Sequence, residues 1–219
     1  MRPRSCVSSY DGVEFERYAG TAAGRDRGRA MSKGATVVKV ALSLSDMDRH
    51  HYANYSLTLA QHPSETPGRV MIRILAYALF ADEGLAFGRG LSAQDEPDLA
   101  QTDLTGGILR WIDVGHPDEA ALRRACGRAR EVIVVVYQGR TSETWWDKQA
   151  PVLSKLSNLK VMSVPGTQST ALAALAARQM NLQCLIQDGQ VQILSETNAV
   201  TLDVVSLKES IRDTASGSR

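Results

Sequence analysis

The run at residues 131–138, EVIVVVYQ, is apolar at almost every position and constrains the fold more than any other segment. An unbroken apolar run of this length is typical of a central strand that is buried on both faces of a sheet. Helical patterns at 117–130 and 142–156 flank the run, and residues 107–114 and 158–164 have the pattern of further strands. The alternation of helix and strand predicts an α/β core.

Both ends of this core carry hairpin patterns. Residues 36–44 and 52–59 alternate in polarity on either side of a turn at 45–48. Near the other end, Asp188-Gly189 separates two alternating segments, 182–186 and 191–194, which is the signal of a type I′ hairpin. We therefore expect a mixed sheet core with flanking helices and antiparallel hairpins added from both termini.

Two further segments are predicted as helices. Residues 69–81 are apolar around nearly the whole helical circumference, which indicates a buried helix, with Ser64 or Thr66 as its cap and Pro67 in its first turn. An alanine-rich helix is expected at 169–180. Residues 85–91 have the pattern of a short strand with glycines, and the acidic segment 92–103 is expected to be irregular.

The chain length and its ends set the domain organisation. The 219 residues suit one compact domain, which we place at 31–210, with a flexible tail at 211–219. Residues 1–30 contain six arginines and four acids among scattered glycines, with no sustained period. We interpret them as a disordered or extraneous extension before a natural start at Met31. The alternative is a basic arm that grips phosphate.

Charge and composition limit the partners. Lys and Arg number 25 and Asp and Glu 24, and this balance argues against a strongly basic nucleic-acid coat but leaves room for a local basic groove. No apolar run approaches the roughly 20 residues that a membrane helix needs. The N-terminus lacks a secretory signal, and the three cysteines form no CxxC pair. We expect a cytoplasmic protein, a monomer with no membrane partner.

The residues that suggest chemistry are carboxylates. Glu65 precedes the buried helix, Asp95 lies in a loop, and Asp113 lies near the end of a strand with apolar neighbours. A carboxylate in such a setting is costly unless it is paired or bound to a cation, and Mg²⁺ prefers carboxylate oxygens. The alternatives are a helix-dipole partner, a solvated turn, and an acid paired with Arg89 or Arg110.

Several stretches together resemble the YaeQ family of small bacterial proteins. The resemblance covers residues 31–207 and leaves residues 1–30 outside. No stretch is diagnostic alone, but their combination is specific. The stretches are SLTLAQHPSET at 56–66, ADE at 81–83, FGRGL at 87–91, DEP at 95–97, LRWIDVG at 109–115, PDE at 117–119, WW at 145–146 and IQDG at 186–189.

The resemblance implies a fold similar to a variant of the PD-(D/E)XK nuclease core, a restriction-endonuclease-like mixed sheet. In that core, an acid on the first helix, an aspartate on the second core strand and a (D/E)xK motif on the third strand gather around Mg²⁺. Carried onto this sequence, these roles fall on Glu65, Asp95 and Asp113. Asp95 would bind the metal directly, Asp113 would complete its ligands, and Glu65 would hold a second ion or its water.

One departure from the family's motif concerns its lysine. Gly115 occupies the position two residues after Asp113, where the motif has Lys. Because alternate residues share a strand face, this position should face the same site. The resemblance then leaves Gln138, at the end of the strand after the second helix, as a residue that orients water without a charge. Lys148 or Arg110 could replace the missing charge, and Gln138 could equally be a plain strand-end residue.

Two functions follow as hypotheses. The first is a Mg²⁺-dependent nuclease that acts on DNA or RNA, with Arg89 and Arg110 binding the substrate on a basic rim. The second is a catalytically inactive binding or regulatory module on a nuclease-like fold. In the second, Trp145 and Trp146 would mark a partner surface, unless they anchor their helix on the sheet.

Overall fold

The computed structural model describes residues 34–88 and 96–210. The predicted extension at 1–30 and the predicted tail at 211–219 lie outside the described residues. In chain order the elements are β1 (Thr36–Asp46), β2 (His51–Gln61), α1 (Pro67–Phe80), β3 (Leu85–Phe87), β4 (Leu99–Thr102), β5 (Ile108–Val114), α2 (Glu119–Arg128), β6 (Ala129–Val136), α3 (Arg140–Leu153), β7 (Leu159–Ser163), α4 (Gly166–Ala173), β8 (Gln179–Gln187), β9 (Gln190–Leu194), β10 (Ala199–Asp203) and β11 (Val205–Lys208).

The larger sheet has the strand order β11-β7-β6-β5-β4-β3. β6 pairs in parallel with both β5 and β7, and its residues 132–136 are fully buried. This confirms the central strand that the apolar run predicts. Because β5, β6 and β7 are parallel, their carboxyl ends meet at one edge of the sheet, where open α/β sheets place their ligand sites.

The smaller sheet has the order β10-β9-β8-β1-β2. β1 pairs antiparallel with β2 and parallel with β8, so the two predicted hairpins, from opposite ends of the chain, join into one sheet. In the turn between β8 and β9, Asp188 has φ 53° and Gly189 has φ 74°, as a type I′ turn requires. The predicted hairpin is confirmed.

Helix α1 joins the two sheets. It begins after Thr66, whose hydroxyl accepts a hydrogen bond from the Arg69 N–H, and Pro67 lies in its first turn. Residues 70–78 of the helix are all buried. Their side chains form one continuous core with buried residues of both sheets, which explains why this helix is apolar around its circumference.

A second core cluster lies on the other face of the larger sheet. It contains Leu122 of α2, Leu153 of α3, Trp111 and the alternate residues of β6.

Over the part of the chain that the structure describes, none of the helices is both long and apolar enough to cross a bilayer.

Three elements differ from the sequence predictions. α4 ends at Ala173, well before the predicted end at 180, because the residues from Gln179 onward pair with β1 as β8. The acidic segment 92–103 contains a strand, β4, and β11 had no recognisable strand pattern. With two mixed sheets and flanking helices, the coarse prediction of a mixed α/β fold is confirmed.

Candidate functional site

Glu65 lies in the turn between β2 and α1. Its N–H donates to the His62 carbonyl at 2.8 Å, and the Gln61 side-chain amide donates to the Glu65 carbonyl at 3.0 Å. These bonds fix the turn and direct the carboxylate inward, where its side-chain exposure is 0%. A carboxylate buried to this degree requires a positive partner.

Two arginines of α1 supply that positive charge. Arg69 and Arg73 are four residues apart and so project from one face of the helix. Arg69 Nη1 donates to Glu65 Oε1 at 2.8 Å, and Arg73 Nη1 lies 3.3 Å from both Glu65 carboxylate oxygens. The Arg73 side chain is 0% exposed and the Arg69 side chain is 14% exposed. Arg73 thus belongs to the interior, and Arg69 lies where the site meets solvent.

Asp98, directly before β4, is the second acid bound by these arginines. Arg69 Nη2 donates to its two oxygens at 2.9 and 2.7 Å, and the Val114 N–H donates to Oδ2 at 2.8 Å. Arg73 Nε lies 3.6 Å from Asp98 Oδ1. Burial opposes the charge on Arg69, but Asp98 and Glu65 outweigh it and hold the pKa of Arg69 above its ordinary value. These four residues, Glu65, Arg69, Arg73 and Asp98, form the acid–arginine cluster.

Asp113 adjoins this cluster from β5. The pairing of Leu99 with Ile112 places Asp98 directly opposite Asp113 in the antiparallel register. Burial raises the pKa of the Asp113 carboxyl to about 6; a hydrogen bond from Trp111 Nε1 at 2.9 Å opposes this rise, and the neighbouring Asp98 carboxylate adds to it. Asp113 is therefore a carboxyl that titrates close to neutral pH at the border of the cluster.

The junction between β6 and α3 is strained. Gln138 is exposed and has φ 83°, a left-handed conformation that costs a residue other than glycine about 1–3 kcal/mol. The next residue, Gly139, has φ 53° and packs against Gly166. A Cβ added to Gly166 would lie 3.0 Å from the Gly139 nitrogen. Strained backbone of this kind concentrates at functional sites, here at the carboxyl end of the central strand.

His116 and Ser142 form a hydrogen-bonded pair beside the β6–α3 junction. His116 Nε2 lies 2.9 Å from Ser142 Oγ, and the Ser142 hydroxyl donates to the Tyr137 carbonyl. Because the serine proton is directed at that carbonyl, Ser142 accepts a hydrogen bond from His116, and burial lowers the pKa of His116. The pair therefore holds the segment after β5 against α3 and does not form an activated serine nucleophile.

Two of the predicted site residues are brought together through a residue that was not predicted. Glu65 and Asp113 both adjoin Asp98, one through Arg69 and the other across the strand pair. Asp95 and Arg89 lie outside the described residues. Their predicted roles therefore stay predictions.

The other predicted residues lie elsewhere. Arg110 donates to Glu131 at 3.1 Å and to Asp82 at 3.4 Å. It is thus held on the opposite face of β5 from Asp113. Gln138 lies at the end of β6, as its position in the sequence predicts, and its side chain is open to solvent.

The two tryptophans of α3 are half-buried against the second core cluster. Trp145 Nε1 donates to the Pro117 carbonyl at 3.0 Å, and its ring lies next to that of Trp146. These contacts support the interpretation of both residues as anchors of their helix.

The backbone at position 115 favours glycine over the lysine that the resemblance would place there. Gly115 has φ 106°, a conformation that residues with a side chain rarely adopt, although no atom would obstruct a Cβ there. Its N–H donates to the Val135 carbonyl at 3.0 Å and ends the β5–β6 pairing. A lysine would be strained at this position.

Sequence reasoning missed Asp98, Arg69 and Arg73. The two arginines had a recognisable signal, since they are four residues apart in a helix that is otherwise almost entirely apolar. Asp98 follows Pro97 immediately before β4, but the acidic segment around it was expected to be irregular. Without β4 there was no reason to place Asp98 beside Asp113.

The donor chemistry of these acids suits Mg²⁺, but a guanidinium now lies between two of them. Carboxylate oxygens are the ligands that hard divalent cations prefer. Within residues 34–88 and 96–210, no group of three or more His, Cys, Asp or Glu side chains is arranged to hold a metal ion. Arg69 contacts both Glu65 and Asp98 and acts as a stand-in cation there.

Comparisons with known proteins agree on one family. The family model described as YaeQ protein matches residues 31–204. The uncharacterized protein YaeQ of Escherichia coli is 37% identical over 179 residues, which are 82% of this chain and 99% of the relative. The uncharacterized protein YaeQ of Salmonella typhi is 36% identical over the same shares of both chains.

Solved structures show the same relationship. The crystal structure of YaeQ protein from Xanthomonas axonopodis pv. citri is 51% identical, with a TM-score of 0.77 over 80% of this chain and 98% of that chain. The crystal structure of YaeQ protein from Pseudomonas syringae is 33% identical, with a TM-score of 0.78 over 82% of this chain and 99% of that chain.

Proposed function

This chain belongs to the YaeQ family, and from that premise we propose that it is a metal-dependent phosphodiesterase acting on nucleic acid. The observation that carries the proposal is the pair of buried acids Glu65 and Asp98, bridged by Arg69, with Asp113 opposite Asp98 in the β4–β5 register at one end of the larger sheet. The three acids come from the turn before α1, the residue directly before β4 and the end of β5. In a nuclease-like core, Asp98 takes the strand position for which the sequence suggested Asp95.

In this proposal Arg69 closes the site in the resting protein. It neutralises Glu65 and Asp98 together and is the only partly exposed member of the acid–arginine cluster among the described residues. When Asp113 is ionised, three carboxylates face two guanidinium groups, and a net negative charge favours a cation. Mg²⁺ would be held by the carboxylates after Arg69 leaves them.

The chain's own groups then have distinct roles. A divalent ion held by these carboxylates would lower the pKa of its bound water and offset negative charge on the phosphoryl group. Asp113, which lies opposite Asp98 in the β4–β5 register, would accept a proton from water. The exposed Gln138 amide orients a water or a phosphate oxygen in place of the motif lysine.

Mn²⁺ titration calorimetry and a cleavage assay test this function on the full chain. We expect Mn²⁺ binding and cleavage of DNA or RNA that requires Mg²⁺ or Mn²⁺, both lost in Asp98→Asn and Asp113→Asn. The matched control is Asp147→Asn, which neutralises an exposed acid of α3 and should leave both unchanged. Cleavage that persists in Asp98→Asn and Asp113→Asn would come from a contaminant and count against the proposal.

Arg69→Met tests the role of the arginine directly. The substitution removes one positive charge and frees oxygens of Glu65 and Asp98 while keeping an aliphatic side chain. We expect Mn²⁺ to bind more tightly to Arg69→Met than to the wild type. Unchanged or weaker binding in a folded variant would show that the guanidinium does not occupy a cation site.

One observation favours a second function, a module that binds a partner without catalysis. Each carboxylate oxygen of Glu65 and Asp98 already accepts from an arginine, and Gly115 replaces the lysine. This function predicts no heat of Mn²⁺ binding in the wild type or in Arg69→Met, and no cleavage. Both outcomes together would replace the phosphodiesterase with the binding module.

A further inference from the structure

Among the described residues, the sheets present four edge strands, and three of them carry a feature that prevents pairing. β3 has three residues, and β11 has four residues with a register shift between Ser206 and Lys208. On β10, the Asp203 N–H donates to the Gln168 side chain of α4 at 2.8 Å. Short length, bulges, lysines and covering side chains are the usual means of blocking a free edge.

The fourth edge, β2, is neither short nor bulged and has no lysine, and among the described residues a side chain covers it only at Ala60. It is 11 residues long and reads HYANYSLTLAQ, with no Lys, Arg, Asp, Glu, Pro or Gly. Its pairing with β1 runs from Thr36 opposite Gln61 to Asp46 opposite His51 without a bulge. A long, regular and uncharged edge strand is a template for another strand.

The hydrogen bonds of β1 determine which residues of β2 face the open edge. The N–H groups of Lys39 and Met47 donate to carbonyls on the β8 side, so the odd-numbered residues of β1 face β8 and the even-numbered ones face β2. In the β1–β2 register, even residues of β1 pair with odd residues of β2. The even residues of β2 therefore direct their N–H and C=O groups outward.

One end of this edge is already occupied. The Ala60 carbonyl accepts a hydrogen bond from Arg73 Nη1 at 3.2 Å, which agrees with its outward direction. The outward groups of Tyr52, Asn54, Ser56 and Thr58 remain along the strand, and the side chains of these four residues are exposed on the outer face of the sheet.

We propose that two copies of this chain pair through β2, antiparallel about a twofold axis, so that their five-stranded sheets become one continuous sheet. Placing the axis at Tyr55 sets Asn54 opposite Ser56 of the second copy and Tyr52 opposite Thr58. The free outward groups then form about eight hydrogen bonds. Every side-chain pair across the axis is uncharged, which suits an interface between identical strands. The sequence analysis expected a monomer, and the experiments below decide between the two states.

Sedimentation velocity on the full 219-residue chain over a wide concentration range tests the dimer. We expect a species of twice the 23.8 kDa chain mass. Ser56→Pro removes an outward N–H but no β1–β2 hydrogen bond, and edge strands tolerate proline, so we expect a folded monomer. A wild-type chain that stays monomeric at all concentrations overturns the proposal. This holds also if the reason is that another part of the same chain covers the β2 edge.

Charge variants provide a test that does not depend on proline. Asn54→Lys combined with Ser56→Lys sets lysines opposite each other across the axis, and we expect a monomer. Mixing this variant with Asn54→Glu combined with Ser56→Glu should restore the dimer. The control is Ser43→Lys, which adds the same charge to the same exposed face on β1, opposite Asn54, and should leave the dimer intact. A dimer that survives both Ser56→Pro and the double lysine variant overturns the proposal.

Discussion

At the residue scale, the acid–arginine cluster is a costly feature of this fold. Removing charged groups from water costs several kcal/mol per ion, and mutual attraction repays that cost only when the geometry is good. Here the contacts between Arg69 and the carboxylates of Glu65 and Asp98 are 2.7–2.9 Å long. Apolar residues of similar size often stabilise a protein equally well, so stability alone does not account for the cluster. This argues for assigning it to function.

Asp113 gives a prediction about pH. Its pKa is about 6 in the folded protein and 3.8 ordinarily, so the folded state holds the proton more tightly. The contribution of Asp113 to the free energy of unfolding should therefore fall as pH rises from about 4 to about 6, by about 3 kcal/mol at about 1.4 kcal/mol per pKa unit. Asp113→Asn should abolish most of this fall. Urea unfolding at a series of pH values, with a chelator present, measures both proteins.

The control for this prediction is again Asp147→Asn, which should keep the pH dependence of the wild type. The comparison with the variant is needed because Asp82, Asp103 and Glu209 have lowered pKa values, which act in the opposite direction in both proteins. An Asp113→Asn variant with the same pH dependence as the wild type would contradict the raised pKa of Asp113.

At the scale of elements, the patterns that depend on local sequence predicted the structure well. An apolar run predicted β6, a segment apolar around the helical circumference predicted α1, and an Asp-Gly turn predicted the β8–β9 hairpin. β4 and the end of α4 were not predicted, because pairing with distant strands outweighs local composition there. Alanine-rich residues after Ala173 favour a helix, yet β8 gains a full ladder with β1.

The β6–α3 junction gives a prediction at this scale. Gln138→Gly should relieve the left-handed strain at φ 83° and raise the free energy of unfolding by about 0.5–1 kcal/mol. Under the proposed function, the same substitution should reduce cleavage because the amide is lost. Urea unfolding and the cleavage assay, on the same preparation, measure the two effects.

His50→Gly is the matched control for Gln138→Gly. His50 is also exposed, has φ 53° and lies in the β1–β2 turn, away from the acids. It should stabilise the protein to a similar extent and leave cleavage unchanged. Equal cleavage in both variants would remove Gln138 from the proposed site.

At the scale of the whole molecule, the site depends on contacts that no local pattern reports. Glu65 and Asp113 are individually recognisable, but they become neighbours only through Arg69, Asp98 and the β4–β5 register. The register of β4 with β5 is determined by burial of the sheet and not by the local sequence of either strand. The sequence could therefore identify Glu65 and Asp113 as unusual acids, but it missed Asp98 and could not predict which arginines neutralise Glu65 and Asp98.

The shared core makes a last prediction about cooperativity. The three tryptophans of the chain all lie in or against the second core cluster, so tryptophan fluorescence reports the larger sheet. Far-ultraviolet circular dichroism reports both sheets. Because α1 packs both sheets into one core, urea unfolding followed by the two signals should give coincident curves. Leu75→Ala in α1, at a fully buried position, should shift both curves together by about 2–5 kcal/mol. Curves that separate would mean that the smaller sheet unfolds independently and that α1 does not unite the molecule.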